Sequence, residues 1–72
     1  MTNTEKLEKA IRESGLRKSW IAERMGLSTY GFMRKVSNKN EFKTSEVQKL
    51  CEILSIRTTT ERDEIFFANK VD

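Results

Sequence analysis

The chain of 72 residues has no proline, no histidine, one cysteine and three glycines. Each scarcity excludes something. Without proline, nothing breaks a helix interior outright, and the many Lys, Glu, Leu and Arg residues favour helices throughout. Without histidine, and with Cys51 alone, the spacings that hold zinc are absent and an internal disulfide is impossible. No carboxylates are paired so as to share a pocket, so acid–base and nucleophilic chemistry have no evident carrier. An enzyme, a metal, a cofactor and a small-molecule substrate are therefore not expected. No apolar run reaches the ~18 residues of a membrane span, and no signal-like apolar region opens the chain. A cytoplasmic protein with no membrane partner is the expectation.

What is present is charge, unevenly spread. Lys plus Arg number 14 and Asp plus Glu 11, a net of +3. Residues 1–40 hold nine basic and four acidic residues (+5), and residues 41–72 hold five and seven (−2). No acid falls between Glu23 and Glu41, whereas Arg24, Arg34, Lys35 and Lys39 do. This arrangement predicts a basic side able to face phosphates, with the C-terminal part turned elsewhere.

Apolar spacing predicts five short helices in a single domain spanning 1–72, with a small core. The first, about 3–14, opens on Thr2 and Glu5 at capping-box spacing and turns Leu7, Ala10 and Ile11 inward. Gly15 ends it, Leu16 plugs the turn, and Arg17 and Lys18 open a second helix, about 18–25. A third covers about 29–37, with Asn38 as its C-cap. Lys39, Asn40 and Glu41 form a polar loop, and Phe42 is tucked into the core. Ser45 and Gln48 open a fourth helix, about 45–55, with Val47, Leu50, Cys51 and Leu54 as its stripe. Thr58 and Glu61 open a fifth, about 60–68. Its adjacent Ile65, Phe66 and Phe67 cannot all face inward, so one should lie near the surface. Cys51, on an apolar face, reads as a small buried hydrophobe.

The stretch Ser19–Ser37 organises the rest. Ile21, Ala22 and Met25 mark one buried face. Gly26 allows a left-handed turn, Leu27 plugs it, and Ser28 caps the next helix, whose inward residues are Phe32 and Val36. A small residue, a glycine four later, an apolar plug, a polar cap and an inward pair make the helix-turn-helix pattern, here about 18–37. A plain αα-hairpin is the alternative. Gly31 inside the third helix costs on the order of 1 kcal/mol relative to alanine, so that helix depends on tertiary support.

Trp20 to Ser28 resembles the second helix and turn of phage Cro and repressor DNA-binding domains, and Glu46 to Leu54 resembles their fourth helix. The ending Glu61–Asp72 is similar to short Cro-like proteins of Gram-positive temperate phages. Size and pattern together resemble the modulators of repression, the antirepressors of lactococcal temperate phages. The resemblance implies an all-α, compact five-helix domain of the phage Cro/repressor type, acting in the lysis–lysogeny switch. Antirepressors of this kind bind the N-terminal DNA-binding domain of a CI-type repressor and block or redirect its operator binding. The pair can act jointly on DNA. Cro-like relatives instead bind operator DNA directly.

The outward residues of the third helix bear on that choice: Thr29, Tyr30, Met33, Arg34 and Ser37. Arg34 could read a guanine through two hydrogen bonds, and Thr29 could touch a phosphate or a thymine methyl. Tyr30 and Met33, three apart on one face, suit a protein partner better than base edges. Arg17 and Lys18 can meet a phosphate or an acid on a partner, while Ser28 and Lys39 flank the helix. Lys35 is expected to snorkel outward. Trp20 either packs under the Phe66–Phe67 helix or anchors an interface. The reading favoured is a protein-binding regulator, with Glu23 and Glu41 as acids available to a basic partner.

Overall fold

The computed structural model describes residues 1–67, which form five α-helices and no strand. The helices are α1 (Thr4–Ser14), α2 (Lys18–Arg24), α3 (Thr29–Val36), α4 (Thr44–Ile53) and α5 (Thr59–Phe66). Ala68, which the sequence assigns to the fifth helix, and the rest of the ending through Asp72 lie outside the described residues.

Each helix turns one apolar pair or triplet inward, and these meet in one core: Leu7 and Ile11, Ile21 and Ala22, Phe32 and Val36, Val47, Leu50 and Cys51, Ile65 and Phe66. Ile56 joins them from the turn before α5. Buried Ala22 leaves room for α3 to pack against α2, while α1 packs on α3 and α5. Phe42 lies between two core rings, edge-to-face with Phe32 (centroids 6.2 Å apart) and with Phe66 (5.6 Å). Such pairs contribute about 0.5–1.5 kcal/mol each beyond the area they bury. Phe67 is the member of its apolar triplet that stays outside, 46% exposed.

Helices α2, α3 and α4 end in the same way. After α2, Gly26 takes φ +74°, and the Leu27 and Gly26 N–H groups donate to the carbonyls of Ala22 (2.9 Å) and Glu23 (3.0 Å). This satisfies two carbonyls that the helix itself leaves open. Asn38 (φ +67°) ends α3, and Ser55 (φ +59°) ends α4, with the same pair of bonds. Asn38 thus lies just beyond the α3 C-cap, which is Ser37.

Two expected N-caps differ. Asn3, not Thr2, caps α1, its Oδ1 accepting from the Lys6 N–H at 3.0 Å. Thr2 is instead buried, its backbone N–H and carbonyl both held by the Asn38 side chain (2.9 and 2.6 Å). Helix α4 begins one residue earlier than Ser45, because the Glu46 carboxylate accepts from the Lys43 N–H at 2.9 Å. The Thr58 hydroxyl caps α5 where the sequence places it, accepting from the Glu61 N–H at 3.1 Å.

Candidate interaction face on α2 and α3

The turn Met25–Ser28 sets α3 across α2, and Ser28 fixes where α3 begins. Its Oγ accepts from the Gly31 N–H at 2.9 Å, and a Cβ at position 31 would stand 3.1 Å from that oxygen. Gly31 thus leaves room for the cap. With Phe32 and Val36 buried, helical spacing turns Thr29, Tyr30, Arg34 and Ser37 outward.

Tyr30 is the most exposed large side chain on this face, at 72%. The Arg34 guanidinium lies along its ring, 5.8 Å from the centroid, with Nη1 donating to the Tyr30 hydroxyl at 3.4 Å. Arg34 Nε donates to Asn40 Oδ1 at 3.0 Å. Arg34 therefore lies back along its own helix rather than extending from it. Met33 is only half-buried and packs against the core, so it serves as the floor of this face rather than an exposed anchor. The Ser37 hydroxyl donates back to the Met33 carbonyl at 3.0 Å. Thr29 and Lys39 are exposed.

The basic stretch is less free than its sequence implies. Lys35 does not snorkel outward. Its Nζ sits 2.8 Å from the Glu46 carboxylate, with side chains 13% and 14% exposed, and it also donates to the Glu41 carbonyl at 3.3 Å. Lys18 pairs with Glu8 of α1 at 2.9 Å. Arg17, whose side chain makes no cap bond at the start of α2, is exposed.

Trp20 is not under α5. It stands outside the core, 40% exposed, with the Arg24 guanidinium 4.7 Å above its ring. Together with Glu23, these two line a shallow hollow. Partners such as Asn40, Glu46 and Glu8 are invisible to local spacing, since each belongs to a different element from the cation it holds.

Burial raises the Glu46 pKa, but the Lys35 hydrogen bond and the Lys43 N–H outweigh it and leave the carboxyl below its usual range. A depressed folded value stabilises the fold above the unfolded pKa, and that contribution is lost as pH falls through the folded one. Glu46→Ala is therefore expected to lose about 2 kcal/mol at neutral pH, since it strands a largely buried ammonium and an N-terminal amide of α4. Urea unfolding should show this difference shrinking as the pH is lowered through the depressed folded-state pKa of Glu46, where the wild-type carboxyl is protonated. A pH-independent difference would place the loss in packing instead.

A hollow of about 900 Å³ forms an open groove between α4 and α5, remote in sequence from this face. Cys51 lines it, and burial pushes its thiol pKa up, which keeps it protonated and weakly reactive. Among the described residues, no helix is long and apolar enough to cross a membrane.

No protein-family model matches the chain, nor does any curated protein or solved structure.

Proposed function

We propose that the chain is a helix-turn-helix regulator of the phage Cro/repressor type that works by seizing another regulator. It binds the N-terminal DNA-binding domain of a CI-type repressor in the bacterial cytoplasm and blocks or redirects its operator binding. The observation that carries the reading is the exposed Tyr30 ring on α3, with Arg34 folded against it and Lys35 tied to Glu46. A base-reading helix would present extended hydrogen-bonding side chains to the major groove. This one presents an aromatic ring above a half-buried methionine, the apolar centre and polar rim of a protein interface. A basic partner surface is tolerated because two local lysines are neutralised within the chain and Glu23 and Glu41 are exposed.

Exposed Arg17 and Lys39 favour a second reading, direct operator binding through phosphate contacts. A gel-shift titration on switch-region DNA separates the two, using this protein alone, a CI-type repressor alone, and both together. The expected result is no discrete shift with this protein alone, and removal or relocation of the repressor's shift by the pair. A discrete, salt-sensitive shift by this protein alone at sub-micromolar concentration would overturn the proposal in favour of a Cro-like operator binder.

A further inference from the structure

We infer that Asn40 is a positioning residue that presents Arg34 to a carboxylate on the protein partner. The inference rests on the protein-binding reading above and goes further, to the chemistry that the partner must offer.

The loop after α3 is built around Arg34. Asn38 turns the chain with its left-handed backbone, and its side chain fastens that turn to both polar groups of the Thr2 backbone. The turn then brings the Lys39 and Asn40 N–H groups onto the Arg34 carbonyl, at 2.8 and 3.2 Å. With the Asn40 backbone so placed, its side-chain oxygen takes the Arg34 Nε–H at 3.0 Å. Nη1 is shared with the Tyr30 hydroxyl, and Nη2 has no partner among the described residues.

A guanidinium held this way has lost its rotamer freedom before binding and offers a fixed donor edge beside an aromatic ring. The acceptor matched to that edge is a carboxylate. A nucleic acid fits less well. Arg34 lies along the helix surface, and Glu41, the next residue after Asn40, puts an exposed acid into the same loop. A polyanion meets that acid unfavourably, whereas a protein surface carrying both signs can meet Arg34 and Glu41 together.

The test is a double-mutant cycle on binding of a CI-type repressor's purified DNA-binding domain, with wild type, Asn40→Ala, Arg34→Ala and the double variant. Asn40→Ala is expected to weaken binding about tenfold, because the freed guanidinium must then be ordered on binding. Its thermal unfolding should be unchanged, and it should add nothing in the Arg34→Ala background. Asn40→Asp, whose carboxylate still accepts from Nε, should restore most of the affinity. Full additivity, or wild-type affinity in Asn40→Ala, would overturn the positioning role. If wild type does not bind the repressor domain, the protein-binding reading falls and takes this inference with it. If the protein alone instead binds DNA with a salt dependence that Arg34→Ala reduces, Arg34 meets phosphate and the carboxylate is wrong. The Arg34 Nε–H resonance of the free protein tells these failures apart: only if Asn40 holds the guanidinium should Asn40→Ala shift it.

Discussion

Phe32→Ala is expected to lose about 3–5 kcal/mol, as removal of a fully buried ring usually does, and to leave much of the population unfolded at 37 °C. Phe32 is the largest of the side chains with no exposed surface, and it is where α3 meets the core. It also carries one of the two edge-to-face contacts of Phe42, which links the α3–α4 loop to α5 through Phe66. Removing the ring therefore opens a void and releases the loop together. A domain of 72 residues has a total stability of roughly 4–11 kcal/mol at typical values per residue. The loss is thus a large share of the whole. Urea unfolding followed by far-ultraviolet circular dichroism measures it, with Trp20→Ala as the control. Trp20 lies outside the core, so its truncation should change stability by no more than about 1 kcal/mol. If Phe32→Ala proved as mild as the control, the core would not be centred where the packing puts it.

The contrast between Phe32 and Trp20 also shows what local sequence can and cannot carry. Inward positions were legible because burial imposes a helical period: Leu7 with Ile11, Phe32 with Val36, and Leu50 with Cys51 all fall where spacing puts them. Gly26 was legible because glycine advertises a left-handed backbone. Ser55 does the same work without such a signature, and its part in closing α4 shows only in the hydrogen bonds. The start of α4 differs from the expected one for a related reason. Both Ser45–Gln48 and Lys43–Glu46 have cap-like spacing, and the Glu46 carboxylate that accepts from the Lys43 N–H also meets the Lys35 ammonium, which is delivered from α3. The charge pattern misled in the same way. Lys18 and Lys35 look free in sequence because the acids that hold them, Glu8 and Glu46, come from other helices. What remained hidden was therefore pairing across elements, and on this face pairing decides which cations a partner can meet.

Tyr30→Ala is expected to reduce affinity for the repressor's DNA-binding domain by a factor of about 30 or more, the loss typical of a central aromatic anchor. Position 30 is a better probe than position 33. Met33→Asp should also abolish binding, but Met33 packs against the core, so an aspartate there would disturb the fold as well as the surface. Tyr30 is 72% exposed, and its truncation should shift stability by no more than about 0.5 kcal/mol. The variant also frees Arg34 from its ring contact while Asn40 still holds Nε, so fold, charge and the guanidinium's main tether all persist. This makes the experiment discriminating. A DNA-binding helix would tolerate the change at phosphate contacts, because no charge is removed and the salt dependence of binding would be unaltered. A protein-binding helix would lose the centre of its interface, and the loss would persist at high salt. Calorimetric titration of the repressor domain at two ionic strengths reads both quantities. Affinity unchanged by Tyr30→Ala would move the interface off α3, and Trp20 with Arg24 on α2 would be the next surface to truncate.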